Sequence, residues 1–225
     1  MILKNLINTP KTKGYLDPNC STEYKKYCKF NTLREIESDI KTNFKFPTIV
    51  KPNRGSGGKG VAKCNTQTEL EQVLELVYNQ ANKDYDYIAL VQEFIEIKKE
   101  YRVFCVNGAV ELIYLKDNSQ STFIGNLSPL HWEGSKAVLI SDLGFRNQVQ
   151  SFVNPIFQKL NIFWCGLDIV IDQNNIMSLI EINTNPGLTI FLEQNDEQIV
   201  YNLYKTGLSK YFQSLNLLNR EINGK

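Results

Sequence analysis

Two carboxylates and one amide, Asp168, Glu181 and Asn183, stand in apolar segments near the end of the chain. These segments flank the turn-forming residues 172–175, a pattern typical of a β-hairpin. Because side chains alternate in direction along a strand, a loop with an even number of residues places the three polar side chains on one face. Unpaired charge is costly to bury, so we expect a cation as their partner. These oxygen ligands suit Mg²⁺ carrying phosphate.

The apolar side chains of the same hairpin favour this register. Leu167, Ile169 and Ile171 are expected to share the opposite face with Ile180 and Ile182. One face of the hairpin would therefore be apolar, and the other would carry the ligands.

A glycine-rich segment, residues 54–60, lies between two strand-like segments and satisfies the pattern GxGxxG. A dinucleotide-binding loop needs a helix to begin in the loop, but here a strand follows. A Walker A loop would continue with Lys and Ser or Thr after Gly60, where this chain has Val61. The His-Arg-Asp and Asp-Phe-Gly motifs of protein kinases are absent from the sequence.

Two interpretations of the glycine segment remain open. It is either an ordinary loose hairpin or a flexible hairpin that folds over a triphosphate. In the second case the backbone N–H groups of Gly57 and Gly58 would act with Ser56 and Lys59. Lys51 favours this interpretation, because a lysine on an apolar strand is poorly explained as a solvated surface charge.

Composition bounds the class of protein. The 225 residues are 42% hydrophobic and 22% charged, which allows one sizeable core or two small subdomains. The net charge of +1 gives no reason to expect nucleic acid or a membrane surface as partner. Five scattered cysteines without a CxxC pair indicate reduced, buried thiols, and no leader or membrane-spanning run is visible. We expect a soluble, cytoplasmic protein.

The order of elements predicts an α+β fold with two small lobes. Helices are expected over 32–41 with Asn31 as N-cap, from Thr66 or Thr68 to Tyr78, and over 147–160 and 193–212. Asn107-Gly108 is a strong signal for a two-residue hairpin. The predicted organisation is an irregular segment 1–30, a small lobe 31–95 with the glycine loop, a large lobe 96–215 with the metal site, and a tail 216–225.

Three motifs in this order resemble the ATP-grasp superfamily, in which ATP is held between two lobes. They are Lys51-Pro52 with the glycine loop, Gln92–Ile95 with Glu100 and Arg102, and Asp168 with the segment 181–187. The resemblance covers residues from about 30 to 212. The ending Glu-Ile-Asn-Thr-Asn-Pro-Gly is most similar to the D-alanine–D-alanine ligase and RimK-like peptide ligase branches.

The resemblance implies a role for each matching position. Lys51 would contact the ATP phosphates, and the glycine loop would cover them. Gln92, Glu93, Phe94 and Ile95 would bind the adenine edge through their backbone, and Glu100 would hold the ribose. Arg102 would neutralise the transferring phosphate. Asp168, Glu181 and Asn183 would hold two Mg²⁺ ions, for which Mn²⁺ is an alternative; Lys116, His131 and Gly187 would face phosphate or substrate.

The activity implied by the resemblance is that of an ATP- and Mg²⁺-dependent ligase. A substrate carboxylate attacks the γ-phosphate, and an amine or thiol captures the resulting acylphosphate. The work is mainly charge neutralisation and positioning, so no protein nucleophile is needed. The substrates expected are an amino acid or peptide carboxylate and an amine acceptor.

Two departures from the resemblance limit this inference. Gly166 stands where D-alanine–D-alanine ligases carry an arginine, so D-alanine ligation is not predicted. Only about 45 residues precede the strand of Lys51, too few for the N-terminal domain that members of the superfamily usually have. A fragment or a minimal core is therefore expected, with a homodimer or a partner chain supplying the missing part. The alternative function is a non-catalytic or partner-dependent ATP-binding module; a fragment of a carboxylase or nucleotide-biosynthesis ligase fits the ending less well.

Overall fold

The computed structural model describes residues 6–55, 57–83, 85–125 and 127–223, with side chains as far as residue 215. In these ranges the strands are β1 Thr12–Leu16, β2 Thr48–Pro52, β3 Ala62–Cys64, β4 Ile88–Glu93, β5 Ile97–Val106, β6 Ala109–Asp117, β7 Lys136–Leu139, β8 Trp164–Asp172 and β9 Met177–Asn183. The α-helices are α1 Thr22–Lys25, α2 Leu33–Asn43, α3 Gln67–Val77, α4 Leu143–Lys159, α5 Thr189–Gln194 and α6 Glu197–Asn223, and Pro129–His131 forms a 3₁₀ turn. The α+β class is therefore confirmed.

The chain divides into two compact units. The glycine-loop unit comprises residues 10–95 and 123–131. The carboxylate unit comprises residues 6–9, 96–122 and 132–223 of the described chain. None of the helices in the described ranges combines the length and the apolar content needed to cross a bilayer.

The glycine-loop unit is an antiparallel sheet with strand order β1-β4-β2-β3. Helices α2 and α3 cover one face, and the core between them and the sheet contains Ile36, Ile40, Val50, Leu70, Leu74 and Val91. Helix α2 begins at its N-cap Thr32, and not at the predicted Asn31, because the Thr32 side chain accepts a hydrogen bond from the Glu35 amide. Thr66 caps α3 in the same way through the Glu69 amide.

The expectation that residues 1–30 are irregular is wrong for the segment that forms β1. This strand pairs with β4 through the register Thr12↔Gln92 to Leu16↔Ile88. Only Tyr15 in the strand is fully buried, at 1% exposure. A five-residue edge strand with one buried side chain has too little apolar alternation to be seen in the sequence, and its partner lies far along the chain.

Asp39 on α2 gives this unit a pH-dependent contribution to stability. Burial alone would raise the pKa of its carboxyl, but hydrogen bonds from Lys13 and Tyr15 hold the pKa below its usual value. Such a group stabilises the fold above its unfolded pKa of about 3.9, and the stabilisation is lost as pH falls through the lower folded pKa.

We therefore expect Asp39→Asn to lower the free energy of unfolding by about 1 kcal/mol at neutral pH. The difference from wild type should shrink as the pH falls below about 4. Urea unfolding across this range measures both values. A difference that stays constant with pH would contradict the assignment.

The carboxylate unit is a five-stranded antiparallel sheet in the order β7-β6-β5-β8-β9. Helix α4 packs on one face, where the core contains Val103, Cys105, Ile113, Val149, Val153, Ile156, Cys165, Leu167, Ile169 and Leu179. The predicted Asn107-Gly108 hairpin is confirmed, since both residues have positive φ (48° and 78°) and connect β5 directly to β6. All five cysteines are free thiols; four of them are buried, as expected, and Cys28 is only partly buried.

The other face of this sheet is partly covered by aromatic contacts from α5 and α6. Phe191 stacks on Tyr114, and Tyr204 stacks on Trp164. Phe104 lies between the two pairs, with its ring centroid 6.3 Å from those of Tyr114 and Trp164. Glu100, Arg102, Lys116 and Asp168 also lie on this face, because they alternate in step with Tyr114 and Phe104.

The hairpin of β8 and β9 is confirmed, but a bulge changes its register. Asp168 pairs with Glu181, whereas the next residue, Ile169, pairs with Leu179. Leu179 therefore packs in the core, at the place expected for Ile180. Asp168, Glu181 and Asn183 still share one face, because the bulge lies between Asp168 and Ile169, on the other side of the Asp168–Glu181 pair from Asn183.

Two further helix predictions differ from the structure in their limits. Helix α4 begins at Leu143 because Asp142 caps it, accepting a hydrogen bond of 2.5 Å from the Phe145 amide. The single helix predicted over 193–212 is two helices, α5 and α6, separated at 195–196.

Candidate functional site

The glycine loop connects the antiparallel strands β2 and β3. Gly57, Gly58 and Gly60 have φ values of 63°, 73° and 71°, which other residues rarely adopt. Ser56 lies outside the described residues, and Lys59 is exposed. The loop thus has a backbone that only glycine adopts easily, and a basic side chain beside it.

Two lysines share the sheet face opposite the helices. Ile49 pairs with Lys63, and Lys51 lies two residues further along β2, so Lys51 and Lys63 project to the same side. Val50 points the other way, into the core. Lys63 is not among the residues predicted from the sequence, although its alternation with the apolar residues Ala62 and Cys64 is a usable signal. The pair provides two positive charges next to the glycine loop.

The four residues predicted to bind the adenine edge differ in whether their backbone groups already make hydrogen bonds. The carbonyl of Gln92 accepts a hydrogen bond from the Thr48 hydroxyl (2.8 Å), and the amide of Glu93 donates to the Lys11 carbonyl (2.8 Å). Phe94 and Ile95 follow the end of β4, and no hydrogen bond between described residues uses their backbone.

Phe94 also has a cationic neighbour. The Lys63 ammonium lies 4.0 Å from the centroid of its ring, within the range of a cation–π contact. Because no hydrogen bond between described residues uses the backbone of Phe94 or Ile95, these two residues of the predicted segment have backbone groups that a base edge could use.

His131, the single histidine, lies against the glycine loop. Its Nε2 atom is 3.1 Å from the point where a β-carbon on Gly57 would stand. The segment 123–131 belongs to the glycine-loop unit, although it lies in the chain between β6 and β7. The sequence predicted a substrate contact for His131, and the structure places its ring beside the predicted phosphate-binding loop.

In the carboxylate unit a row of charges crosses three strands. Arg102 pairs with Asp168 between β5 and β8, and Asp168 pairs with Glu181 between β8 and β9. The Arg102 guanidinium donates two hydrogen bonds to Asp168, from Nε to Oδ1 (2.6 Å) and from Nη2 to Oδ2 (3.2 Å). This bidentate geometry holds the Asp168 carboxylate in a fixed plane.

Lys116 joins this row from β6. Its Nζ lies 2.5 Å from Glu100 Oε1 and 3.0 Å from Asp168 Oδ1. The Lys116 side chain is only 3% exposed, and those of Glu100 and Asp168 are 13% and 12% exposed. Two cations and two carboxylates thus form one buried cluster.

The cluster shifts the pKa values of its members. Burial alone would raise the pKa of Asp168, but Lys116 and Arg102 together hold it below the usual value. Burial alone would lower the pKa of Lys116, but Glu100 and Asp168 raise it. Burial raises the pKa of Glu100, with Lys116 opposing the shift. Lys116 is therefore a charged ammonium ion at neutral pH.

The predicted metal ligands lie on one face of the hairpin. Glu181 is opposite Asp168, and Asn183 is opposite Gly166, so the three donors lie on the same side. Among the described residues no three His, Cys, Asp or Glu side chains converge, and no side chain bonds to the exposed Glu181 carboxylate. Two carboxylates and one amide are oxygen donors that fit Mg²⁺, but Asp168 is shared with two cations.

Gly166 allows a close approach of the loop that follows β9. A β-carbon at this position would lie 2.6 Å from Pro186 Cβ and 3.2 Å from Arg102 Cδ. Pro186 is buried, whereas a β-carbon on Gly187 would meet nothing within 4 Å. Gly166 therefore allows the segment after β9 to approach β8 closely, and Gly187 faces open space.

Comparison with known proteins agrees with these motifs. The model of the RimK-like ATP-grasp domain family matches residues 26–205. The chain is 32% identical to uncharacterised protein MG012 of Mycoplasma genitalium over 68% of this chain and 48% of that protein. It is 26% identical to the D-alanine–D-alanine ligase of Buchnera aphidicola subsp. Schizaphis graminum over 64% of this chain and 46% of that enzyme.

A solved structure shows the same fold. The D-alanine–D-alanine ligase of Bacillus anthracis complexed with ATP superimposes with a TM-score of 0.54 at 19% identity, over 83% of this chain and 53% of that one. The chain spans about half the length of the curated relatives it matches.

Proposed function

Because the chain belongs to the RimK-like ATP-grasp domain family, we propose that it is an ATP- and Mg²⁺-dependent ligase that joins a carboxylate to an amine. The observation that carries the proposal is the charged row Arg102, Asp168 and Glu181, with Lys116 beside it on one sheet face. A site that handles phosphate anions and their metal needs this combination of fixed cations and oxygen ligands. The glycine loop with Lys51 and Lys63 supports it.

The proposal gives each unit a task. In the glycine-loop unit, the loop amides, Lys51 and Lys59 would bind phosphate, and Phe94 and Ile95 would present backbone groups to adenine. Glu100 would bind the ribose if it exchanges its bond with Lys116 for the sugar hydroxyls. Gln92 and Glu93 would shape the end of β4, since the Gln92 carbonyl and the Glu93 amide already make hydrogen bonds.

In the carboxylate unit, Asp168, Glu181 and Asn183 would hold the metal. When bound, Mg²⁺ supplies charge neutralisation for the phosphates. Arg102 and Lys116 would offset the negative charge as a substrate carboxylate oxygen attacks the γ-phosphorus and ADP leaves. An amine then attacks the acyl carbon and loses a proton, inorganic phosphate departs, and an amide forms. The protein supplies orientation and charge, so no side chain needs to act as nucleophile.

The substrates we propose are an amino acid or short peptide carboxylate and a small amine. Gly166 argues against D-alanine as substrate, because the packed Pro186 leaves no space there for a further cationic side chain. A homodimer or a partner chain that completes the substrate site is part of the proposal. The five free cysteines favour a reducing compartment, the cytoplasm.

A coupled ADP-release screen of amino acids and short peptides, with mass detection of new amides, tests the proposal. We expect ADP release with at least one carboxylate–amine pair. Glu181→Gln should lower turnover by about 100-fold or more, the loss typical of removing one charge-stabilising group. Glu193→Gln, which removes an exposed carboxylate of α5, is the matched control and should behave as wild type.

Two results would count against this function. Unchanged turnover in Glu181→Gln and in Asn183→Ala would exclude the proposed metal site. Tight Mg·ATP binding without ADP release for any substrate pair would instead favour the alternative, a non-catalytic ATP-binding module.

A further inference from the structure

The Asp168 carboxylate has to serve two kinds of partner. Both of its oxygens accept hydrogen bonds from Arg102, and Oδ1 is also 3.0 Å from the Lys116 ammonium. A divalent cation needs the same oxygens as ligands. Metal binding at Asp168 therefore has to compete with two cations that already contact this carboxylate.

The charge of the cluster makes this competition strong. Glu100 and Asp168 contribute two negative charges, and Arg102 and Lys116 contribute two positive charges, so the cluster is neutral. An ion that binds Oδ1 of Asp168 would stand next to Lys116 Nζ and Arg102 Nε, which lie 3.0 and 2.6 Å from that oxygen. Repulsion between like charges at contact distance is stronger in a buried site than in water, because the dielectric constant is lower there. Glu181, which pairs with Asp168 across the strands, adds a further carboxylate, and it is exposed.

Of the two cations, Lys116 is the one that can withdraw. Arg102 is held by two hydrogen bonds in a planar fork, whereas the Lys116 ammonium ends a flexible chain and already bonds Glu100 at 2.5 Å. A small movement of Nζ toward Glu100 or toward an added anion would remove one of the two cations at Oδ1 of Asp168, while Arg102 Nε would stay bonded to that oxygen. The anion that the proposed function provides is the triphosphate.

We propose that Lys116 makes divalent-cation binding at Asp168 conditional on the nucleotide. Without a triphosphate, Lys116 occupies the carboxylate and the metal binds weakly. With a triphosphate, the ammonium turns to phosphate and the metal gains its ligand. Because linkage is reciprocal, the metal raises nucleotide affinity by the same factor. This inference rests on the proposed function and adds an order of binding to it.

The test measures the binding of Mn²⁺ in the absence of nucleotide. Electron paramagnetic resonance detects the free ion, so the loss of its signal reports the amount bound. Lys116→Met should bind Mn²⁺ about tenfold tighter than wild type or more, because one repelling charge is gone. Lys116→Gln removes the charge but keeps an N–H donor, and it should shift the affinity in the same direction. It replaces Lys116→Met if that variant does not fold.

Two further variants separate this explanation from a general effect of charge. Lys210→Met breaks a Lys–Glu pair of the same length, 2.5 Å to Glu111, in the same unit and should leave Mn²⁺ binding unchanged. Glu100→Gln removes the competing partner of Lys116, so the ammonium should hold Asp168 more firmly. Its Mn²⁺ affinity should be no higher than that of wild type.

Several results would overturn the proposal. One is an equal Mn²⁺ affinity in wild type and both Lys116 variants. Another is an increase in Mn²⁺ affinity in Lys210→Met as large as theirs, and a third is an increase in Mn²⁺ affinity in Glu100→Gln.

The non-hydrolysable analogue AMPPNP should raise the Mn²⁺ affinity of wild type more than that of Lys116→Met. Failure of this ranking in a chain that turns over ATP rejects only the order of binding. The predicted ranking in a chain without turnover rejects only the ligase.

Discussion

Replacing Asp168 by alanine is expected to abolish ATP-dependent turnover and to lower the free energy of unfolding by about 3 to 5 kcal/mol. The substitution removes a proposed metal ligand. It also leaves Arg102 and Lys116, whose side chains are 15% and 3% exposed, with Glu100 as their only carboxylate partner in the cluster. An uncompensated charge in a buried site costs more than the intact pair contributes.

Urea unfolding and ADP release measure the two effects of this substitution. The matched control is Glu111→Ala, which removes the carboxylate of the Lys210–Glu111 pair, where the side chains are 33% and 21% exposed. This pair is better hydrated, so we expect a loss of about 1 kcal/mol or less. If Asp168→Ala fails to fold, Asp168→Asn tests the same charge with the shape preserved. Equal losses at the two sites would show that the cluster is not energetically distinct.

The alternation of residues along β8 and β9 was enough to predict that Asp168, Glu181 and Asn183 share a face. That prediction depends only on the period of a strand, which is a local property. The bulge that brings Leu179 into the core could not be foreseen, because an unpaired residue has no signature in apolar alternation.

The cluster around Asp168 was predicted only in part. The resemblance to the ATP-grasp superfamily implied that Glu100, Arg102 and Lys116 contact phosphate or ribose. Those roles stay predictions. Their mutual pairing depends on which residues of β5, β6 and β8 stand opposite one another. This register depends on residues far apart in the chain, so the local sequence pattern does not reveal it. The same holds for the pairing of β1 with β4 and for the contact of His131 with Gly57.

Gly166→Ala is expected to lower the free energy of unfolding by about 1 to 3 kcal/mol, as overpacking of a well-filled site does. The added β-carbon would stand 2.6 Å from Pro186 Cβ, a separation that requires the segment after β9 to move. Since Asn183 lies three residues before Pro186, that movement would also displace a proposed metal ligand. We therefore expect turnover to fall together with stability.

Gly187→Ala is the control for this substitution, since a β-carbon there meets nothing within 4 Å and the backbone is not in the left-handed region. Its unfolding free energy should match that of wild type. Thermal or urea unfolding of both variants gives the comparison. If Gly166→Ala is as stable as Gly187→Ala, the close approach of Pro186 does not constrain the loop.

Neither unit of this protein is a continuous stretch of chain. The chain changes unit at the junctions 9/10, 95/96, 122/123 and 131/132. A ribosome that has released only the first 95 residues has therefore not yet supplied the segment that places His131 against Gly57. The glycine-loop unit is complete only after β5 and β6 of the other unit have been synthesised. Its folding during synthesis therefore cannot finish before part of the carboxylate unit has been made.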